Sequence, residues 1–477
     1  MHVFSRLLFR FTGRRERAPG STEAVPLAHP SDNPVVQAFL GGRFQEGRGL
    51  GQPRPAAAPA ASAAPPGGEF QEDEARRIQE RWAQQGAYAV SNTGKVRMTR
   101  RYFGWRQRVE ALLSFPPKEV KDKAGEWRRW IAEHEARALW KLRMQGRMPR
   151  ASGGIPPELA RQVFEGEPLG EPPQPVYRFV LLYAVKLPDS SQYAFRDDLV
   201  QGEDRTLARE NGVARAGSRI CGHADLEELF TSAGISDVTE RKVMKKVSEV
   251  HGGFESINTC DAGFVSAGFV PFTAGESGGG SLAQLLRRMK AASPAEFEAC
   301  FRGLGIDVDA RALRVVHPGS GQLLEGKEAV SAIIEDKRLT ALFYNAGKKS
   351  RAYQVAQLQL ARELYYLASQ GFVLKALAQV GDRASLLSIS GRYGDVLRSE
   401  AGKAAIMDRA IQQGPDNARQ TFKEACRSVI EEKGLSTVES LALYEALITP
   451  VLQSPGKNRL RVLEDKDLSR PAELPLG

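Results

Sequence analysis

The chain has 477 residues, 42% of them hydrophobic, and a formal net charge of +10. At roughly 100–200 residues per domain this makes two or three domains with proper cores, and it excludes a wholly disordered chain. No apolar run approaches the ~18–20 residues of a bilayer span. The four cysteines, Cys221, Cys260, Cys300 and Cys426, exclude a disulfide-dense scaffold, and none forms a C-x-x-C pair.

The N-terminus is apolar and basic by turns, and Arg6 and Arg10 interrupt the apolar core a secretory signal needs. Residues 1–70 carry little periodicity, and Pro53–Gly68 is almost entirely Ala, Pro, Gly and Ser. Such a stretch buries too little apolar surface to offset its ordering entropy, so 1–70 reads as a disordered leader.

Residues 71–165 read as a basic helical domain. Glu72–Gln85 has helical character. Trp105, Val109, Leu112 and Leu113 fall at helical spacing, as do Trp127, Trp130, Ile131, Leu139 and Leu142. Aromatic Tyr102, Phe103 and Trp105 stand among Arg100, Arg101, Arg106 and Arg108. That interleaving can bind single-stranded nucleic acid by stacking, but a bundle with buried aromatics and a solvated basic face explains it more simply. No nucleic-acid-binding signature adds to it. The Pro- and Gly-rich stretch Gly166–Pro175 opens a linker over 166–221. Within that linker, Val176–Leu187 is the clearest strand.

From Ala224 to about Leu452 the pattern is almost all helix. Thr239 is the expected N-cap of a helix whose stripe is Val243, Met244, Val247 and Val250 and whose end is Gly252-Gly253. Helices follow near Ser281–Lys290, Pro294–Leu304, Glu328–Phe343, Tyr353–Gln370, Lys403–Gln413, Ala418–Glu432 and Ser436–Val451. Residues 456–477 are polar and Pro-bearing and read as a flexible tail.

The informative stretch is Ser248–Gly280. Glu249 closes the amphipathic helix. Asp261 follows twelve residues later and opens a run of Gly and β-formers, Gly263 to Phe272. The glycine spacing suggests a tight turn or hairpin whose backbone can approach a ligand. Glycoside hydrolysis needs two carboxyl groups, a proton donor with raised pKa and a partner that activates water. Glu249, desolvated at a helix end, suits the first role, and an ionised Asp261 suits the second. Spacing alone is explained more simply by two surface carboxylates flanking a turn.

The order Glu249, then INTCDAGFVSAGFVPFTAG from Ile257, resembles the catalytic stretch of the family 46 chitosanases, and more broadly the lysozyme-type superfamily. A second stretch, Ile406 to Asn417, is similar to that family's later core helix, where an Asp, here Asp408, precedes a Gly-Pro turn. The resemblance covers about residues 222–455. It implies a mainly α, lysozyme-like catalytic domain with a small β-hairpin lobe. It implies Glu249 as general acid and Asp261 as the base of an inverting mechanism. Ser266, or Val265 beside it, would position the water. Gly268, Thr273 and Glu276 would contact substrate, and Asp408 would anchor the site from behind.

The departures bear on substrate. The family's Arg in its Asp-Gly-Arg-Gly turn is missing, and Gly278 stands where an acidic residue is expected, with Glu276 nearby. Chitosan is a polycation. A chain of net charge +10 suits an anionic wall polymer better, so hydrolysis of β-1,4 bonds in peptidoglycan is the expected function. Chitosan hydrolysis is one alternative. The other is a non-catalytic wall-binding or docking protein of a phage or secretion apparatus. Residues 1–165 would then hold a wall or a delivery partner. No cofactor and no metal are expected: the six His include no H-E-x-x-H, and His251 lacks ligands at metal spacing. Cys260 reads as a structural thiol. Action on the wall implies the periplasm or exterior, and the sequence shows no clear export signal.

Overall fold

A computed structural model describes residues 69–85, 88–97, 100–114, 124–132, 176–201, 207–380, 383–453 and 460–474. The fold is mostly helical with small antiparallel sheets. The leader up to residue 68, residues 133–175 and the segment 454–459 lie outside the described residues.

Helix α1 (Glu72–Gln85) packs into the large core of the protein, which the expected boundary at 165 did not anticipate. Ile78 and Trp82 are buried, and Trp82 Nε1 donates to the Leu304 carbonyl at 2.9 Å. Strand β1 (Tyr88–Arg97) follows, where helix was expected. Its alternation YAVSNTGKVR suits a strand, and it pairs antiparallel along its whole length with β2 (Val176–Lys186). Strands β3 (Gln192–Gln201) and β4 (Leu207–Asn211) complete a four-stranded meander in the order β1-β2-β3-β4. The linker is therefore largely sheet. Between β1 and β2 come α2 (Arg100–Ser114) and a helix, α3, over 124–132. These two bury Tyr102, Trp105, Val109, Trp127 and Ile131 in a separate small core. The aromatics near the arginines are thus mostly interior, although Phe103 remains about half exposed.

The strand pair β5 (Ala214–Arg215) and β6 (Ile257–Asn258) begins a second small sheet, which β7 (Ser266–Ala267) and β8 (Phe272–Thr273) extend in the order β5-β6-β7-β8. Helices α4 (Leu226–Ser232) and α5 (Val238–His251) lie between its first two strands. The cap of α5 is Asp237, not Thr239: its carboxylate accepts from Glu240 N at 2.8 Å and starts the helix two residues earlier.

Then come α6 (Ser281–Ala292), α7 (Pro294–Cys300) and an unanticipated three-stranded sheet of β9 (Ile306–Val308), β10 (Leu313–Val316) and β11 (Leu323–Glu325). The single helix expected over 328–343 is two, α8 (Gly326–Glu335) and α9 (Lys337–Lys349). Asp336 separates them: its backbone is extended, and its side chain caps Arg338 N at 2.9 Å. The buried Lys337 at the start of α9 pairs with buried Asp197 of β3 at 2.9 Å, which fastens the meander to the helices.

Helix α10 (Arg351–Leu364) leads to a hairpin, β12 (Gly371–Val380) and β13 (Arg383–Arg392). The short α11 (Tyr393–Val396), α12 (Glu400–Gln413), α13 (Pro415–Lys433), α14 (Val438–Ala442) and α15 (Glu445–Leu452) close the fold. The supposed loose tail packs instead. Leu460, Val462 and Leu468 are buried, Ala401 N donates to Ser469 O at 3.0 Å, and Ser469 N donates to Glu400 at 2.7 Å.

Candidate active site

The small sheet after α5 gathers four of the sequence candidates, Asp261, Ser266, Gly268 and Thr273, while Glu249 and Asp408 stand on helices. The buried side of α5 carries Val243, Met244, Val247 and Ser248. At about 100° per residue, Glu249 falls on the opposite side. Its side chain is 28% exposed and lies 3.6 Å from Lys246 Nζ. Lys246 also meets Asp465 at 3.2 Å and Asp467 at 2.5 Å, both in the C-terminal segment. The Asp467 carboxylate first, then Asp465 and Glu249, holds the Lys246 ammonium above its usual range against the effect of burial. Glu249 is thus a half-exposed member of an ion-pair cluster, which differs from the desolvated acid expected at this helix end.

His251, the last residue of α5, lies on the inward side. Its Nε2 is 2.8 Å from Asp408 Oδ1 on α12. The two side chains are 8% and 2% exposed. The other Asp408 oxygen is buried and has no hydrogen-bond partner among the described residues. Gln412 Nε2, at 3.5 Å, adds only a weak contact to Oδ1.

Gly252 (φ 128°) and Gly253 then turn the chain tightly under residues 216–218. Gly253 N donates to Ala216 O at 2.7 Å, and a β-carbon at Gly253 would sit 1.8 Å from the Ser218 oxygen. Buried Glu255 accepts from Ser218 N at 2.8 Å. These contacts fix the route from the helix into the sheet. Glu255 and the amide of Gln357 went unnoticed in the sequence. Gln357 accepts from Phe269 N at 3.0 Å and donates to Phe254 O at 3.0 Å, tying the lobe to α10. Both are lone polar residues in helical or loop patterns, with no spacing signal to mark them.

Asp261 sits in the turn between β6 and β7. Its Oδ1 accepts from Gly263 N at 2.9 Å, closing an Asx turn. Phe264 takes a left-handed backbone (φ 66°) there, a strained choice for a bulky residue. Burial pushes the Asp261 carboxyl up from its ordinary value, and hydrogen bonding from Ser266 and Gly263 N offsets part of the rise. The Ser266 hydroxyl lies beside the carboxyl but is buried without a hydrogen bond of ordinary geometry. Asp261 is therefore a desolvated acid.

Thr273 lies across the turn: a β-carbon on Gly263 would fall 2.6 Å from the Thr273 methyl and 2.8 Å from Ser266 Oγ. Gly268 (φ 100°) donates its N–H to Ser256 O at 2.9 Å, and a β-carbon on it would meet the Gln357 oxygen at 2.6 Å. Asp261, Ser266, Gly268 and Thr273 thus share one lobe. Glu276 does not join them. It points to solvent and pairs with Lys327 of α8 at 2.6 Å, which lowers its pKa. Cys260 is half-buried, with its backbone N and Sγ on Asn258 Oδ1.

Among the described residues no cluster of three or more His, Cys, Asp or Glu could hold a metal ion, and no helix is long and apolar enough to cross a membrane. Comparison with protein-family models, with curated proteins and with solved structures finds nothing that matches this chain.

Proposed function

We propose that the protein is a glycoside hydrolase that cleaves β-1,4 bonds of an amino-sugar polymer, with peptidoglycan preferred over chitosan. One observation carries the reading. Asp261 is a desolvated carboxyl, held by an Asx turn beside the buried Ser266 hydroxyl in the hairpin between β6 and β7. A carboxyl raised above its ordinary pKa is a stronger base once ionised, which suits the activation of water. The Ser266 hydroxyl, buried beside that carboxyl, is placed to help orient the water. The proton for the leaving sugar comes from the last turn of α5, whose end is fixed by the Gly252-Gly253 turn. Glu249 is the sequence candidate there. The net charge of +10 supports an anionic polymer.

The second reading is a protein that keeps this lobe and only binds. It is favoured by the ion pair of Glu249 with Lys246, which engages the carboxyl that the hydrolytic reading needs as its donor. The test is release of soluble sugars from purified bacterial walls and from chitosan, side by side, by wild type and Asp261→Asn. We expect wall cleavage that exceeds chitosan cleavage and falls about 100-fold or more in the variant. Intact walls and chitosan with wild-type protein, or an Asp261→Asn rate equal to wild type, overturn the enzymatic reading and favour binding.

A further inference from the structure

Helix α15 shows solvent no charge. Its one charged residue, Glu445, is turned inward, where it is 4% exposed and accepts from Ser399 N and Oγ at the start of α12. The outer side of α15, with the residue just before it, presents Leu443, Ala446, Leu447, Pro450 and Val451, none of them buried. Leu443 and Val451 are about half exposed. A helix that is apolar on its outer side as well as its inner one is ordinarily covered, and grouped exposed apolar residues mark contact surfaces. This side opens into a groove of about 420 Å³ between α15 and α13, floored by Ala425, Val429, Leu447 and Val451. Exposed Glu424, Ser428 and Glu432 of α13, about one per turn, form its rim.

We infer that the basic segment of this chain from Val3 to Arg14 docks in the α13–α15 groove as an amphipathic helix. The groove shares no residue with the Asp261 lobe, so the docking holds whether or not the chain cleaves sugar.

The pattern of the segment is the first argument. Val3, Phe4, Leu7, Leu8 and Phe11 recur at i, i+1, i+4, i+5 and i+8, which puts them on one helical face about 140° wide. Arg6, Arg10 and Arg14 form an i, i+4, i+8 row beside that face, and residues 1–15 contain no Asp or Glu.

Charge is the second. The row from Arg6 to Arg14 and the rim from Glu424 to Glu432 each span eight positions, about 12 Å on a helix. The rim's present partners are exposed and local: Glu424 accepts from Gln420 Nε2 at 2.6 Å, and Glu432 meets Lys433 at 2.8 Å. Exposed pairs of this kind are weak and exchange readily. Arg427 of α13 is turned away to the Lys375 carbonyl of β12 at 3.3 Å, so it does not neutralise the rim. Apolar contact in the groove supplies the affinity, and the arginine row against the acidic rim sets the register.

Reach is the third. The 54 residues from 15 to 68 connect the segment to Glu69. At no more than about 3.3–3.6 Å per residue they extend to about 180 Å at most, which allows the segment to reach this face. Tethering makes the docking intramolecular, with an effective concentration on the order of mM, so a groove of modest affinity is filled.

The experiment uses the full chain and a fluorescein-labelled peptide of residues 1–17. In wild type the chain's own segment competes for the groove, and the peptide should bind poorly. In a full chain carrying Leu7→Asp and Leu8→Asp it should bind saturably and about 10-fold or more tightly than to wild type. Adding Leu443→Asp and Val451→Asp to that chain should abolish binding, and adding Glu424→Arg and Glu432→Arg instead should weaken it about 5-fold or more. Thermal melting checks each fold. If the chain with Leu443→Asp and Val451→Asp does not fold, the two rim reversals, at exposed positions, decide the outcome. Equal affinity for wild type and the Leu7→Asp, Leu8→Asp chain overturns the assignment, as does equal binding of a scrambled peptide or binding indifferent to the groove variants. A wild-type dimer that Leu443→Asp and Val451→Asp dissolve but Leu7→Asp and Leu8→Asp do not would give the groove to a second copy and also overturns it.

Discussion

Two buried polar clusters in this molecule differ in one respect. Around Arg302, every charge has a partner. Asp307 accepts from Lys290 Nζ at 2.6 Å, from Val308 N at 2.7 Å and from Arg302, while Arg302 also reaches Glu74 of α1 at 2.9 Å. Burial, then the neighbouring Arg302 and Arg314, pulls the Lys290 ammonium below its ordinary range, so the shared carboxylate is what keeps both cations in place. Around α5 and the small sheet the partners are fewer: one oxygen of Asp408 has none among the described residues, the Ser266 hydroxyl has only a contact of poor geometry with Asp261, and burial raises the Asp261 carboxyl. The first cluster is a fastening, since its bonds join α1 to the core. The second carries unmet hydrogen-bonding capacity. A closed network of ion pairs fixes structure, and an open one is where chemistry is to be sought.

The largest effect should come from breaking the closed cluster. Asp307→Ala takes the shared carboxylate from Lys290 and leaves Arg302 with Glu74 and Glu298 alone, and it should cost about 3–5 kcal/mol in denaturant unfolding. A loss under 1 kcal/mol would mean the cluster is no fastening. Next is the frame of the open cluster. A β-carbon at Gly347 would lie 2.3 Å from the Glu255 Cα and the Phe254 carbonyl. Gly347→Ala should therefore cost about 1–3 kcal/mol by overpacking backbone that cannot yield. An unchanged melting temperature would show that the lobe is looser than its contacts imply.

The smallest effect should have the opposite sign. The folded-state pKa of Asp261 is raised above its ordinary 3.8. Its ionisation therefore opposes folding, and stability is lost as pH rises through the folded pKa. Asp261→Asn should melt slightly higher than wild type at pH 7, with the gain shrinking as pH falls toward 3.8. Cleavage by wild type should fall on the acid side at a pH above that ordinary value, as the base takes up its proton. A variant less stable than wild type at pH 7 would place Asp261 among the fastenings.

The helices were legible because burial on one face leaves a 3.6-residue stripe. The stripe Val243, Met244, Val247 announced α5, and the following glycines announced its end. The same arithmetic held the correction to Glu249, since a residue two positions before His251 falls about 200° away from it on the helix. The stripe was extended to Val250, which is in fact exposed, and this drew Glu249 into the buried side. The turn at Asp261 was legible for a similar local reason: Asp, Gly and alternating β-formers write an Asx turn and a hairpin into a few residues.

Other features depended on partners far along the chain. Strand β1 pairs with residues nearly ninety positions away, so neither its identity nor the continuity of the meander could be read locally. The segment 460–474 looks loose by composition, yet three of its apolar residues reach the core and its aspartates reach Lys246. The pair His251–Asp408 spans 157 positions and has no spacing signature. The sequence by itself determined the helices, the glycine turn after α5 and the Asx turn at Asp261, because period and backbone permissiveness act over a few residues. Only the tertiary structure decided which carboxyl is desolvated and which side chain at the end of α5 faces inward, because desolvation and pairing depend on what the rest of the chain packs against each group.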